Sequence, residues 1–256
     1  MGKRVSTGIT GLDEMLCGGF LPQSAVLVRG AAGVGKTTLG LQFLIHGAVQ
    51  ENEPGLLVTF EEFPESLYRD ARSLGWELRD LEERGGVRIL LTSPQVFLAS
   101  LESPGSPLAE LIRAHGIKRL VLDSMTHAHK LARSAEELRE VNARVVNALK
   151  REEITSILLS EAPNTTSLAL TDAALQAEGS LLFIVDGVLL LGFVEVDSVM
   201  FRALTVLKLR GSDHAKEIRR FEIGPGGIAV LDRFQGHEGV LTGAPRVLPS
   251  LRPDVR

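Results

Sequence analysis

A glycine-rich segment near the start of the chain has the spacing of a phosphate-binding loop. Residues 30–37 read Gly-Ala-Ala-Gly-Val-Gly-Lys-Thr and fit the pattern G-x-x-x-x-G-K-[ST]. Glycines let backbone N–H groups turn toward phosphate oxygens, and a following helix adds the partial positive charge of its N-terminus. We expect Lys36 to reach the β- and γ-phosphates and Thr37 to bind Mg²⁺. The predicted nucleotide-binding residues are Gly30, Ala31, Ala32, Gly33, Val34, Gly35, Lys36, Thr37 and Thr38.

An acid closes a second apolar run, Arg119-Leu120-Val121-Leu122-Asp123. A nucleotide site of this kind needs a further Mg²⁺ partner, commonly an acid at the end of a neighbouring buried strand. Asp123 is the predicted partner, together with Thr37. The alternative is that Asp123 caps the helix that follows.

Two adjacent acids, Glu61 and Glu62, follow the apolar run Val58-Thr59-Phe60. Like charges repel and resist desolvation, so either both carboxylates point into water or at least one takes part in chemistry. Hydrolysis needs a group that orients or deprotonates a water in line with the γ-phosphate. Successive strand side chains point to opposite faces, so we expect one base and one supporting acid, and the pattern leaves open which is which.

Strand and helix patterns alternate over the first 160 residues. Apolar runs predict strands at 24–29, 55–60, 118–122 and 154–160. Helices are predicted after the glycine-rich loop, near 65–74, up to 114 and over 134–150, with an irregular region before 106. Strands without helices between them are predicted at 183–194, 200–210, 218–223 and 228–232.

This order predicts an α/β fold with a mainly parallel sheet covered by helices on both faces, and the last strands predict an antiparallel extension of that sheet. We expect one main domain over residues 1–242. Residues 243–256 hold three prolines and few core-forming residues, which predicts a mobile or partner-docked tail.

Composition restricts the class of protein. The chain has 256 residues, is 44% hydrophobic and carries a net charge of −4, which argues against nucleic-acid binding through overall charge. Its one cysteine, Cys17, cannot form an intrachain disulfide. Residues 1–14 lack a signal-peptide pattern, and the apolar region 181–194 is too short to cross a bilayer as a helix. We expect a cytoplasmic protein with no membrane partner.

Five segments, in this order, resemble the KaiC-like branch of the RecA/RadA ATPases. They are STGITGLDEMLCGGF, GAAGVGKTTLGLQFLIHGA, VTFEEFPESLYRDARSLGWEL, RLVLDS and LKLRGSDHAKEIRRFEI. The resemblance covers about Ser6 to Ile223 and implies a RecA-type P-loop NTPase fold that uses ATP and Mg²⁺. It also implies a ring of identical chains, usually a hexamer, with ATP between subunits. In that family adjacent glutamates assist hydrolysis, and here they are Glu61 and Glu62.

The resemblance further implies a cationic segment that reaches the neighbouring subunit's nucleotide, formed by Lys208, Arg210, His214 and Lys216. Lys208 and Arg210 are two residues apart and so share a strand face, about 7 Å apart along the strand. Two cations on one face suit a triphosphate. The alternative is a solvated edge strand whose lysine opposes aggregation.

Two further sequence patterns resemble functional sites but lack residues that those sites need. The clock protein of the family carries a phosphorylated Ser/Thr pair before an I-x-D strand, whereas Leu182 and Phe183 precede Ile184-Val185-Asp186 here. The missing hydroxyls argue against clock-type autophosphorylation and a circadian role, although Ser180 lies close. His127-Ala128-His129 has no third metal ligand at a recognisable spacing, which favours a solvated loop.

Three functions are consistent with the sequence. The first is a ring-forming, Mg²⁺-dependent ATPase that acts in signalling or regulation. The second is an ATP-stabilised assembly that docks a signalling protein and hydrolyses little. The third is a RadA-like DNA-handling ATPase, which an acidic chain does not favour.

Overall fold

Helices and strands alternate in the computed structural model, which describes residues 2–101, 105–162 and 181–234 and, as backbone only, two short strands at 237–238 and 246–247. The helices are α1 Leu12–Met15, α2 Lys36–Gln50, α3 Pro64–Ser73, α4 Leu78–Glu83, α5 Pro94–Ser100, α6 Pro107–Ala114, α7 Met125–His129, α8 Ala135–Arg151 and α9 Leu181–Ile184. The strands are β1 Ala25–Gly30, β2 Gly55–Thr59, β3 Val87–Leu91, β4 Arg119–Asp123, β5 Thr155–Glu161, β6 Gly187–Val196, β7 Val199–Leu209, β8 Ile218–Gly224, β9 Gly227–Arg233, β10 His237–Glu238 and β11 Arg246–Val247.

The main sheet has nine strands in the order β3-β2-β4-β5-β1-β6-β7-β8-β9. Strands β1 to β6 pair in parallel, whereas β7, β8 and β9 extend the sheet antiparallel. The predicted fold class is confirmed. Because parallel strands point the same way, their carboxyl ends share one edge of the sheet. The register pairs Thr59 with Asp123 and Gly30 with Glu161 at that edge.

Helices cover both faces of the sheet. Strand β1 is buried along its length, and its side chains alternate between two hydrophobic clusters. Ala25 and Leu27 pack in the cluster that includes α5 to α9, while Val26 and Val28 pack in the cluster that includes α1 to α4. This two-sided burial explains why the parallel strands read as continuous apolar runs.

Serine caps set the starts of three helices on one face. The side chains of Ser93, Ser106 and Ser134 accept hydrogen bonds from the third amide of α5, α6 and α8, respectively. Proline occupies the first helical position of α5 and α6, where its missing N–H costs nothing. These local signals agree with the helices predicted up to 114 and over 134–150.

The segment between α3 and α6 differs from the prediction. It was expected to be irregular up to 106, but it forms α4, β3 and α5. Both helices are short, and β3 lies at the edge of the sheet, where four of its five residues are at least partly exposed. The run Val-Arg-Ile-Leu-Leu of β3 is apolar except for Arg88, so the strand signal was present in the sequence and was overlooked.

The start of the strand predicted at 183–194 was also wrong. Residues 181–184 form α9, and β6 begins at Gly187. Asp186 lies between them: its carboxylate accepts a hydrogen bond from Ala25 N and forms an ion pair with Lys150. A short apolar run cannot be assigned to helix or strand by periodicity alone, and here the contacts of Asp186 set the boundary.

Two predictions concern residues outside the described part of the chain. One is the tail at 243–256, of which only the backbone of Arg246–Val247 is described, and the other is Ser180. The domain boundary at residue 242 therefore stays a prediction. None of the described helices has the length and apolar character needed to span a membrane.

Candidate nucleotide site

The glycine-rich loop joins the carboxyl end of β1 to the N-terminus of α2. Gly33 and Gly35 have φ of 72° and 113°, a backbone conformation that favours glycine. A side chain at position 35 would also lie 2.6 Å from Cδ1 of Ile223. Gly35 is the N-cap of α2 and has no side chain that could accept from the first amides of the helix. The loop therefore leaves these amides to bind an anion.

Lys36 is buried beside the loop. Its Nζ donates to the carbonyl oxygen of Ala31 at 2.9 Å. Burial lowers the pKa of Lys36, while the negative charges of Glu161 and Asp123 act in the opposite direction. A buried ammonium next to a phosphate-binding loop is suited to pair with phosphate charge. Ala32 and Gly33 are exposed at the loop tip, and Thr38 is half-buried in the first turn of α2.

Thr37 and Asp123 are in direct contact across the site. The hydroxyl Oγ1 of Thr37 donates to Oδ2 of Asp123 at 2.7 Å, although the two residues are 86 positions apart in the chain. Burial raises the pKa of Asp123, and the hydrogen bond from Thr37 and the charge of Lys36 oppose that rise. The carboxylate thus carries a desolvation cost that a cation would reduce.

Magnesium suits this pair of oxygen ligands. Mg²⁺ is commonly bound by one or two protein side chains together with phosphate oxygens and water. Among the residues that the structure describes, no group of three or more His, Cys, Asp or Glu side chains is arranged to hold a metal ion. Thr37 and Asp123 could hold such an ion together with the phosphates of a nucleotide.

Glu61 and Glu62 follow the end of β2 in different surroundings. The side chain of Glu61 is 66% exposed, and its Oε1 lies 2.5 Å from Nε2 of His127. Glu62 is only partly exposed, and burial raises its pKa, with a further rise from the charge of Asp123. The two acids thus have different surroundings, and because β2 ends at Thr59 the alternation of strand side chains does not account for the difference.

Lys208 and Arg210 lie at the end of β7 and contact α9 of the same chain. Lys208 Nζ donates to the carbonyl oxygens of Leu182, Phe183 and Val185 at 2.9, 3.4 and 2.7 Å. Arg210 donates to those of Phe183 and Ile184. His214 and Lys216 lie in the loop between β7 and β8, where Lys216 pairs with Asp213 at 3.1 Å. Within one chain, these cations do not join the phosphate loop.

The sequence of this chain is similar to those of known ATPases. A family model described as "ATPase: KaiC" matches residues 5–235. The chain belongs to the KaiC family of ATPases. It is 36% identical over 244 residues to the circadian clock oscillator protein KaiC of Parathermosynechococcus lividus, covering 94% of this chain and 43% of that protein. It is 37% identical over 244 residues to the KaiC protein of Thermostichus vulcanus, covering 94% and 45%.

A solved structure is also similar to this KaiC-family chain. It is a KaiC-like protein from the hyperthermophilic archaeon Pyrococcus horikoshii, with a TM-score of 0.77 and 33% identity. The match covers 90% of this chain and 99% of that one. By contrast, the chain spans less than half the length of the two clock proteins.

Sequence reasoning missed two residues of this KaiC-family site. Glu161 ends β5 beside Gly30, and its charge acts on both Lys36 and Asp123. The apolar strand that closes on an acid, as β4 does, was the available signal. His127 was expected in a solvated loop, and that expectation was wrong. It lies in α7 with its side chain 15% exposed and contacts Glu61 and Ser124.

Proposed function

We propose that this chain binds Mg·ATP and hydrolyses it, in a ring of identical chains with each nucleotide between two subunits. The observation that carries the proposal is the 2.7 Å contact between the Thr37 hydroxyl and the Asp123 carboxylate beside buried Lys36. A hydroxyl, a carboxylate and an ammonium at the carboxyl edge of a parallel sheet are the parts that phosphoryl transfer requires.

Each residue has a defined role in this proposal. The loop amides and Lys36 bind and orient the phosphates, and Thr37 and Asp123 hold Mg²⁺, which would neutralise charge that develops on the phosphate oxygens. Glu61 and Glu62 act on the attacking water, one as the base and one in support. The raised pKa of Glu62 suits a proton acceptor, whereas the fixed contact of Glu61 with His127 suits a carboxylate that orients water.

The ring is supported by family membership and by the position of the cations. Lys208 near the end of β7 and Arg210 just beyond it both contact α9, beside the start of β6 and away from the phosphate loop of their own chain. Each would act on a nucleotide held by the neighbouring subunit. Two relatives are named as circadian clock oscillator proteins. The chain covers less than half of each, so the proposed role is regulation through a protein partner and not the clock itself.

The test is steady-state phosphate release with Mg·ATP for the wild-type chain, Lys36→Ala and Asp123→Asn. We expect Lys36→Ala to lose nucleotide binding. Asp123→Asn should keep binding but lose hydrolysis by roughly 100-fold or more, since it removes a metal ligand and leaves the phosphate loop intact. Chelating Mg²⁺ from the wild-type chain should have the same effect.

The matched control is Asp80→Asn, which changes an exposed carboxylate in α4. It should hydrolyse ATP at the wild-type rate. A wild-type chain that binds Mg·ATP but releases no phosphate would contradict the ATPase assignment and favour the weakly hydrolysing docking module.

A further inference from the structure

Ser124, His127 and Glu61 form a continuous array next to the proposed Mg²⁺ ligand Asp123. Ser124 Oγ lies 3.0 Å from His127 Nδ1, and His127 Nε2 lies 2.5 Å from Glu61 Oε1. The array links the segment after β4 to the segment after β2, and Glu61 and His127 are 66 positions apart in the chain. A histidine that bridges a hydroxyl and a carboxylate has its ring orientation fixed from both sides.

The chemistry of the groups sets the direction of these hydrogen bonds. An ionised carboxylate only accepts, so Nε2 of His127 carries the proton that faces Glu61. In the neutral ring Nδ1 then accepts, and the hydroxyl of buried Ser124 is the donor. His127 therefore presents an N–H to Glu61, and that N–H fixes the direction of the hydrogen bond that orients the carboxylate.

Aromatic packing holds the imidazole in place. The ring of His127 lies edge-to-face against Phe60, with centroids 6.3 Å apart, and Phe60 packs in the same manner on Phe97 at 5.6 Å. The backbone N–H of Phe60 donates to the carbonyl oxygen of Asp123 at 3.1 Å. The ends of β2 and β4 are thus fixed to each other beside the histidine.

Glu61 gains the most from this arrangement because it is the exposed member of the glutamate pair. Its side chain projects from a segment beyond the end of β2, where several rotamers are open to it. The contact with His127 selects one of them. A reacting group that is displaced by about 1 Å can lose roughly 100-fold in rate, so selecting the rotamer matters for chemistry.

We propose that His127 is a positioning residue for ATP hydrolysis, acting through Glu61. It holds the Glu61 carboxylate in the orientation from which that carboxylate acts on the attacking water. The inference rests on the proposed ATPase function. It assigns no direct contact with the nucleotide to His127.

The test is a double-mutant cycle between positions 61 and 127, read as kcat and KM for Mg·ATP. We expect His127→Ala to lower kcat roughly 10- to 100-fold with KM little changed, since the loss falls on the reaction and not on binding. In the Glu61→Gln background, His127→Ala should have no further effect on kcat, because the group through which it acts is already changed.

Two conservative variants separate the contacts of the ring. The amide nitrogen of His127→Gln can occupy the Nε2 position and donate to Glu61, so this variant should recover most of the lost kcat. The shorter His127→Asn reaches only the Nδ1 position near Ser124 and should remain as slow as His127→Ala. The matched control is His129→Gln, in the same helix, whose native ring bonds to Asn142 at 2.7 Å; it should keep the wild-type kcat.

The outcomes distinguish this inference from the proposed function. A wild-type chain without ATPase activity would overturn both. An active wild-type chain would overturn the inference alone if His127→Ala keeps the wild-type kcat, if it lowers kcat equally in the Glu61→Gln background, or if His127→Gln is as slow as His127→Asn. Thermal unfolding of each variant identifies a loss of activity that comes from a loss of folded protein.

Discussion

Glu61 and Glu62 are adjacent in sequence, yet their carboxyl groups have different surroundings. Glu61 is exposed and contacts His127, whereas burial and the charge of Asp123 raise the pKa of Glu62. The contact with His127 fixes the orientation of the Glu61 carboxylate, whereas burial and a neighbouring charge change the pKa of Glu62. Two groups with such different environments will not contribute equally to one reaction.

Glu61→Gln and Glu62→Gln should therefore lower the kcat of ATP hydrolysis by unequal factors. Loss of a general base costs roughly 10²- to 10⁴-fold, and loss of a supporting group costs less. The measurement is phosphate release at saturating Mg·ATP. Glu65→Gln, an exposed acid in the first turn of α3, serves as the control. Equal losses for the two variants would contradict the division of roles.

The residues found from sequence differ from His127, one of the two residues missed, in the kind of signal they leave. Lys36 and Thr37 belong to a local motif, and Asp123 ends a buried strand, so each is visible within a few neighbouring positions. His127 acquires its surroundings only when α7 packs beside a segment 66 positions away. No local pattern encodes that contact, and the H-x-H pattern without a third ligand was interpreted as a solvated loop.

Strands and helices, like single residues, were predicted where their sequence signal is local and strong. The strands β1, β2, β4 and β5 are buried on both faces, so their apolar runs were predictable, and the loop after β1 follows from its glycines. Partly exposed β3 was missed although four of its five residues are apolar, and the short helices beside it give only weak periodic signals. These elements still matter for the site, because α3 directly follows Glu61 and Glu62 and must be anchored.

Tyr68 provides such an anchor and gives a prediction for the pH dependence. Its hydroxyl donates to Glu82 of α4, and the same carboxylate accepts from Ile89 N of β3 at 3.1 Å. Burial and the hydrogen bond to Glu82 raise the pKa of Tyr68 from 10.0 to about 12. The fold favours the neutral phenol, so this contribution to stability is present below pH 10 and is lost as pH rises through about 12.

The chain has a single tyrosine, so tyrosinate absorbance reports Tyr68 alone. We expect a midpoint at about pH 12 in the folded chain. Glu82→Gln should lower that midpoint, because it removes the carboxylate. The chain unfolded in urea should titrate near the ordinary tyrosine value. A folded chain that also titrates there would show that Tyr68 does not link α3 to α4.

At the scale of the whole molecule, the two halves of the proposed reaction centre lie on different parts of one sheet. The phosphate loop follows β1, whereas Lys208 lies near the end of β7 and Arg210 just beyond it, where both contact α9. In a closed ring, Lys208 and Arg210 of one chain would lie next to the phosphate loop of the neighbouring chain. The mass of the chain in solution should therefore increase with Mg·ATP.

Mixing two inactive variants tests the same arrangement. Lys36→Ala removes the phosphate contact but keeps the cations, and Arg210→Ala does the reverse. Each alone should be inactive, and a mixture should regain part of the wild-type activity at interfaces that combine the intact halves. The control mixes Lys36→Ala with Asp123→Asn, which damage the same half. A mixture without activity, or a chain that stays monomeric with nucleotide bound, would contradict action between subunits.

The contacts of Lys208 have a thermodynamic consequence. An ammonium group has three N–H donors, and the carbonyl oxygens of Leu182, Phe183 and Val185 engage all three. A phosphate of a neighbouring nucleotide would have to displace at least one of these oxygens. Binding of ATP across the interface would then compete with the carboxyl end of α9, and the measured affinity would be the intrinsic affinity reduced by that competition. A substitution that weakens α9 should consequently increase the affinity with which neighbouring subunits associate around ATP.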